Sequence, residues 1–155
     1  MLRVNVFEAV PEYDEADPVG YRGAAKRLGR ELASDELSLN LFEIPAGESL
    51  CPYHYEYVEE WLLILEGSVT LRAPEGEEDL TRGDLVRFPP GPDGAHKLTN
   101  RTEAPVRLIM FSSSREPSVA VYPDSDKVGV WTPNSQDEWM FRRGGANLGY
   151  YDGET

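Results

Sequence analysis

The sequence lacks the features that are typical of disulfide-bonded, secreted and membrane-spanning proteins. Its single cysteine, Cys51, excludes a disulfide within the chain and fits a reducing, cytoplasmic environment. No apolar run approaches the ~18 residues of a membrane span. The first residues also lack a basic leader followed by a long apolar run. We therefore expect neither a membrane anchor nor a secretory signal.

Basic residues are scarce too, with 15 lysines and arginines against 28 acidic residues. The resulting formal charge of −13 repels phosphate backbones and anionic lipids, so we expect no nucleic-acid partner and no membrane partner. A well-solvated surface accounts for the acidity without any acidic function. With 155 residues, 40% of them hydrophobic, the chain is long enough for one domain with its own core and short for two.

Turn-forming residues are plentiful, with fourteen glycines and twelve prolines spread along the chain. From Leu37 onward, short apolar stretches recur roughly every 8 to 12 residues between glycine, proline and aspartate clusters, which is typical of a β-sandwich or barrel. The acidic stretch PEGEED reads as a hairpin tip within this series. We predict a single domain, residues 1–155, with a barrel core at about 37–122.

Two arms flank this predicted core. The N-terminal arm, 1–36, carries a weak helical spacing of apolar residues in GAAKRLGREL. The C-terminal arm, 123–155, reads as irregular and rich in glycine, aspartate and aromatic residues. Its aromatic residues either close over the barrel mouth as a lid or pack on the outside: Trp139, Phe141, Tyr150 and Tyr151. The adjacent pair Arg142-Arg143 reads as a solvated turn, with an anion site as the alternative.

The chemistry-bearing residues lie in two stretches. The only histidines, His54 and His96, each follow a Pro/Gly turn onto a predicted strand. Glu56 shares a strand face with His54 because residues two apart point the same way, and Glu60 follows closely. A lone strand histidine is often structural, but antiparallel strands can bring the two stretches together at one level of a barrel. Two histidines and two carboxylates there would suit a divalent metal ion.

The two stretches resemble the paired motifs of the cupin superfamily, G-x5-H-x-H-x3,4-E-x6-G and G-x5-P-x-G-x2-H-x3-N. The first motif has one extra residue before its histidine here, and the second has two. The positions that agree are Gly47, His54, Glu60, Gly67, Gly83, Pro89, Gly91, His96 and Asn100. The resemblance covers roughly residues 37–113, and the downstream REPSVAVYPDSDKVGVW is similar to the tail of some small bacterial cupins. It implies an all-β fold, the double-stranded β-helix or jelly-roll barrel.

The resemblance also implies that His54, Glu60 and His96 are metal ligands. The second histidine of the family pattern is replaced by Glu56. Because a carboxylate can bind Mn²⁺, Fe²⁺ or Zn²⁺ as imidazole does, we predict that Glu56 completes a four-residue site for one of these ions. Two carboxylates would neutralise the ion, which should then acidify a bound water less. The alternative is that Glu56 is a solvated surface acid.

Periodicity predicts an apolar stripe facing away from this site. The odd-numbered positions share one face: Tyr53, Tyr55, Tyr57, Trp61, Leu63 and Leu65. An uncovered stripe of that size is unusual on a monomer, so either the terminal arms or a second subunit should cover it. Cupins often pair through such sheets, and we therefore favour a homodimer.

Two kinds of function fit these observations. The first is a metal-dependent enzyme that acts on a small molecule in the barrel, by dioxygenase-like oxidation or by isomerisation of a sugar-type substrate. Glu59 is then the candidate catalytic residue, a free carboxylate that moves protons. The second is a non-catalytic small-molecule binding or sensor protein. The fold cannot choose between them, whereas a metal position open to solvent would favour the enzyme.

Overall fold

The computed structural model describes residues 1–145 and 151–153. In chain order its strands are β1 (Glu12–Tyr13), β2 (Ala24–Arg27), β3 (Leu37–Ile44), β4 (Tyr55–Glu56), β5 (Glu60–Glu66), β6 (Ser68–Ala73), β7 (Gly76–Thr81), β8 (Leu85–Phe88), β9 (Lys97–Thr99), β10 (Val106–Ser113), β11 (Ser118–Tyr122), β12 (Lys127–Trp131) and β13 (Trp139–Arg142). The helical segments of the described residues are the short helix α1 (Leu28–Glu31) and 3-10 turns at Pro92–Gly94, Pro123–Ser125 and Ser135–Asp137.

The strands form three antiparallel sheets that enclose one core. The largest has the order β1-β2-β3-β10-β5-β8, and the smaller two have the orders β7-β6-β9 and β13-β12-β11-β4. The backbones of His54 and His96 pair with each other and join the smaller sheets between β4 and β9. The predicted all-β jelly-roll barrel is confirmed.

The core lies between the large sheet and the wall made by the smaller ones. Alternation in β5 sends Leu62 and Ile64 inward, where both are almost fully buried. Apolar side chains from β6, β9 and β10 meet them from the other strands: Val69, Leu71, Leu98, Val106 and Leu108. Burial of these aliphatic groups is the main force that closes the barrel.

Two motif residues, Gly67 and Asn100, stabilise the barrel and are not part of the candidate metal centre. Gly67 has φ +81° between β5 and β6, and a Cβ there would lie 3.2 Å from the Pro105 carbonyl oxygen. Asn100 is fully buried, and its side-chain amide donates to the carbonyls of Ile44 and Ala104 at 2.8 Å each. Asn100 thereby ties the end of β9 to the end of β3 and to the turn before β10.

The outer face of the large sheet carries a second apolar cluster. Leu41, Leu65 and Ile109 are buried there against Leu28 of α1. The partly buried residues of this cluster include three from the first ten residues and one member of the predicted stripe, Leu63: Val4, Val6, Ala9, Leu39, Leu63 and Phe111. The N-terminal arm therefore covers the Leu63 and Leu65 part of the stripe, which was one of the two covers expected from the sequence.

The arms are more regular than the sequence suggests. The region expected to show helical spacing contains β2, and only Leu28–Glu31 is helical. Most of PEGEED belongs to β7, so the hairpin tip is shorter than expected. The C-terminal arm contributes β12 and β13, which extend the sheet of β11. The division into a barrel core at 37–122 and two arms stays a prediction.

None of the described helices has the length and apolar character needed to cross a membrane.

Candidate metal centre

Three of the four predicted ligands come together inside the barrel. His54 and His96 are paired across the join between the smaller sheets, with backbone N–H···O distances of 3.1 and 2.8 Å. Residues paired in this way project to the same face, here towards the large sheet. Glu60, the first residue of β5, projects from that sheet, and one ligand atom from each of the three residues lies within 4.8 Å of the others.

Hydrogen bonds fix the orientation of both imidazole rings. His96 Nδ1 lies 2.9 Å from the Gly94 carbonyl oxygen, and His54 Nδ1 lies 3.0 Å from the Pro52 carbonyl oxygen. A carbonyl only accepts, so each neutral ring carries its proton on Nδ1. Each Nε2 atom is left with a lone pair, which is the form in which a histidine binds a metal ion.

Packing and burial fix the position of the His96 ring and of its Nε2 atom. Phe88 stacks on the ring at a centroid distance of 3.8 Å, and His96 is completely buried. Its Nε2 has no hydrogen-bond partner among the described residues and lies 3.9 Å from Glu60 Oε2. Buried polar atoms rarely lack a partner. This orphaned lone pair fits a divalent cation.

Burial changes the pKa values of all three residues. Burial and the nearby Glu56 raise the pKa of Glu60 to about 8. Burial and the neighbouring His54 lower the pKa of His96 to about 4, and burial also lowers the pKa of His54. Near pH 7 without a cation, Glu60 is therefore mostly protonated and His96 is neutral, so they form no ion pair. A bound cation would reverse the penalty on the Glu60 carboxylate.

Glu56 lies beside this group without joining it. Among the described residues, the set of close ligand atoms comprises only His54, Glu60 and His96. Glu56 lines the same cavity, and burial raises its pKa. Its predicted role as the fourth ligand is untested and stays a prediction.

Glu59, the candidate catalytic residue, does not line this cavity. Its carboxylate accepts hydrogen bonds from Trp61 Nε1 and Arg87 Nε, and the Arg87 interaction lowers the pKa of Glu59. The side chain is 40% exposed. Glu59 directly precedes β5, and its hydrogen bond to Trp61 places it on the side of the odd-numbered residues of that strand, opposite Glu60.

His54 and Glu60 line a cavity of about 370 Å³, and the fully buried His96 lies behind them. The polar lining of the cavity comes mainly from β3, the end of β10 and the following turn: Ser38, Asn40, Ser112, Ser113, Ser114 and Arg115. The sequence motifs do not include these residues. The signal was present in β3, where the leucines of LSLNL alternate with Ser38 and Asn40, which line the cavity, while Leu39 and Leu41 belong to the outer cluster.

Cys51 also lines this cavity, with its sulfur 3.6 Å from His54 Nδ1. Burial and the nearby Glu60 raise the pKa of its thiol to about 12, so Cys51 is an uncharged neighbour of the site at neutral pH.

The C-terminal features lie away from the cavity lining. Trp139 and Phe141 on β13, and Tyr151, are at least half-exposed, and Tyr150 lies outside the described residues. Arg143 forms an ion pair with Asp126, and Arg142 donates to the Ser125 carbonyl.

The pairing of two motif histidines with a motif glutamate inside a jelly-roll barrel matches a known domain. The sequence model of the cupin domain family matches residues 40–112. The chain belongs to the cupin superfamily. No curated protein has a sequence that matches this cupin.

Solved structures share the fold over nearly the whole chain. A sugar phosphate isomerase of the cupin superfamily from Silicibacter pomeroyi has a TM-score of 0.79 and 22% identity, covering 96% of this chain and 97% of its own. A protein assigned as a sugar phosphate isomerase from Acidithiobacillus ferrooxidans has a TM-score of 0.80 and 20% identity, covering 92% and 91%. A polyketide cyclase from Streptomyces resistomycificus has a TM-score of 0.62 and 22% identity, covering 76% and 83%. At these identities the likeness shows the fold.

Proposed function

We propose that this cupin is a metal-dependent enzyme that isomerises a sugar-type substrate in the cavity beside His54, Glu60 and His96. The observation that carries the proposal is that His54 and Glu60 of this group line a cavity of about 370 Å³, where a small molecule has room to reach a coordinated ion. The isomerase names of the two structures that match over nine-tenths of both chains support the choice of reaction.

His54, Glu60 and His96 would hold Mn²⁺, Fe²⁺ or Zn²⁺. When bound, such an ion supplies a Lewis acid that polarises a carbonyl group and stabilises the negative charge that develops on its oxygen. The hydrogen bonds from the Nδ1 atoms to the Gly94 and Pro52 carbonyls keep both rings oriented for this task.

Glu56 is the residue we propose to move the proton. Its carboxyl group lines the cavity, and burial raises its pKa, which makes it a stronger base than an exposed glutamate. It removes the proton from the carbon beside the substrate carbonyl, exchanges that proton with solvent, and delivers a proton to the former carbonyl carbon, while a proton passes between the two oxygens. Glu56 replaces Glu59 in this role because Glu59 is held outside the cavity by Arg87.

The polar side chains of the cavity would orient the substrate. Ser38 and Asn40 on β3 and Ser112 on β10 line the cavity with Glu60, and their hydroxyl and amide groups can both donate and accept hydrogen bonds. Such groups match the hydroxyls of a sugar-type molecule.

The test is solvent isotope incorporation. Metal-loaded protein is incubated with aldoses, ketoses and their phosphate esters in D₂O, and proton NMR follows the carbon beside the carbonyl. We expect product together with deuterium at that carbon. Glu56→Gln should lower kcat by about 10²- to 10⁴-fold. The matched control is Glu59→Gln, which changes a nearby glutamate outside the cavity and should leave kcat nearly unchanged.

Two other results would replace the proposal. Oxygen uptake by the Fe²⁺-loaded protein without isotope incorporation would indicate a dioxygenase-like oxidation. Binding of a panel member without any chemical change would indicate the non-catalytic binding or sensor protein.

A further inference from the structure

A second cavity adjoins the first along the same face of the large sheet. It has a volume of about 350 Å³ and shares Ser38, Asn40, Phe42 and Ser114 with the lining of the metal-centre cavity. The shared residues on β3 are two apart and point the same way. The two cavities are therefore neighbouring compartments on one inner sheet face.

Strand register places an arginine on that face. Arg27 at the end of β2 pairs with Asn40 of β3, so both side chains project to the cavity side. Two residues earlier on β3, Ser38 pairs with Ser112 of β10, and Ser112 pairs in turn with Glu60 of β5. Glu60 and Arg27 thus face the same space across three strand spacings, about 14 Å in total.

The second cavity carries positive charge on an acidic protein. Arg27 and Arg30 line it, and no carboxylate belongs to its lining among the described residues. Within the described part of the chain, neither guanidinium forms a hydrogen bond or an ion pair. Five other arginines do pair with carboxylates: Arg72, Arg87, Arg101, Arg107 and Arg143.

We propose that Arg27 and Arg30 form the phosphate subsite of a substrate whose carbonyl end lies at His54, Glu60 and His96. Guanidinium groups bind phosphate oxygens through paired charge-assisted hydrogen bonds, and two of them match a dianion. The hydroxyls of Ser34 and Ser114 line the same cavity and can donate to further oxygens. The carbonyl end of this assignment rests on the proposed function, whereas the phosphate end stands on the second cavity alone.

The spacing of the two ends also selects the size of the ligand. Long side chains reach inward from positions about 14 Å apart, so the space between them suits a chain of several carbon atoms. The substrate class is therefore a phosphate monoester of a small polyhydroxylated aldehyde or ketone.

The experiment measures binding by calorimetry and does not require turnover. Inorganic phosphate is titrated into metal-free protein, and ribose 5-phosphate, ribose and ribonic acid are titrated into metal-loaded protein. Arg27→Gln, Arg30→Gln and the double variant are compared with Arg82→Gln, an exposed arginine that lines neither cavity. Circular dichroism confirms that each variant is folded.

We expect the wild type and Arg82→Gln to bind phosphate and ribose 5-phosphate with the same affinity. Each single variant should bind roughly tenfold more weakly, and the double variant weaker still. Ribose and ribonic acid should bind much more weakly than the phosphate ester to the wild type and should respond little to the arginine variants.

Equal phosphate binding by wild type and double variant would overturn the subsite, and so would the absence of any phosphate binding. Equal binding of ribonic acid and ribose 5-phosphate would overturn the assignment to a phosphate monoester. Arginine-dependent phosphate binding without isotope incorporation would contradict only the isomerase. Isotope incorporation that the arginine variants leave unchanged would contradict only the subsite.

Discussion

His96 and Glu60 face each other inside the barrel with Nε2 and Oε2 3.9 Å apart. This distance is beyond hydrogen-bond range, whereas two ligands of one ion at about 2.1 Å each can lie up to about 4.2 Å apart. His96 Nε2 has no other partner among the described residues. The geometry of the pair therefore suits two ligands of one cation better than a direct hydrogen bond between them.

We expect the purified metal-free protein to bind one equivalent of Mn²⁺, Fe²⁺ or Zn²⁺. Glu60→Gln should weaken that affinity by at least about 100-fold, because an amide oxygen replaces the only carboxylate in the close group. Calorimetry with each ion measures this. Glu59→Gln is the control, and equal losses in both variants would mean that Glu60 is no ligand.

Replacing Glu56 separates its two possible roles. If Glu56 moves a proton and does not bind the ion, Glu56→Ala should change metal affinity by less than about tenfold while it abolishes isotope incorporation. A loss of more than tenfold, up to about 3 kcal/mol in metal binding, would instead support the fourth-ligand role that the sequence predicts. Glu56→His is the companion variant, since it restores the usual cupin histidine and should keep or tighten metal binding.

Metal binding should release a proton from Glu60. Its pKa of about 8 means that the metal-free carboxyl is mostly protonated at pH 7, and an ion can bind only the carboxylate. We expect release of close to one proton per ion at pH 7, declining towards zero above pH 9. Calorimetry in buffers of different ionisation enthalpy measures the number, and a value near zero at pH 7 would contradict the raised pKa.

The same shift gives the metal-free protein an unusual pH dependence. Glu60 titrates near 4.5 when unfolded and near 8 when folded, so the folded state binds more protons between these values. Its contribution to the free energy of unfolding therefore falls as pH rises from about 4.5 to 8. His96, with a folded pKa of about 4, acts in the opposite direction, because its contribution rises between pH 4 and 6.5. Urea unfolding should show the decrease above pH 6.5, and Glu60→Gln should remove it.

Arg107 should hold the N-terminal arm on the outer apolar cluster. Its guanidinium donates to the carbonyls of Phe7, Val6 and Ala9 at 3.1, 3.2 and 2.6 Å. Arg107→Ala should lower the free energy of unfolding by about 2 to 4 kcal/mol, because these charge-assisted bonds are lost together. Arg101→Ala removes an exposed ion pair with Glu77 and should cost at most about 1 kcal/mol. Equal effects in urea unfolding would exclude the holding role.

The homodimer remains a prediction, and a substitution in the apolar stripe is not a clean test of it. Leu63 packs in the cluster that the N-terminal arm covers, so Leu63→Arg would destabilise a monomer as well as an interface. Light scattering of the wild type at micromolar concentration is the cleaner measurement. We expect twice the chain mass, and a mass near 17.4 kDa would contradict the dimer.

Much of the site could be predicted from local sequence. The Pro/Gly turns, the strand alternation and the motif spacing identified His54, Glu60 and His96 together with the barrel that holds them. These features depend on residues that are close along the chain, where the two-residue period of a strand fixes which side chains share a face. The same period also separates Glu59 from Glu60.

Other features depended on which distant strands become neighbours. The sequence left open whether an arm or a second subunit covers Leu63 and Leu65, and only the packed structure brings Val4 and Val6 onto them. It also gave no sign that Arg27 shares a sheet face with Glu60, since that depends on the register of four strands. The period of a strand determines its faces, but long-range pairing and burial determine what each face meets. Tertiary structure therefore decided the cavity, its charge and the altered proton affinity of Glu60.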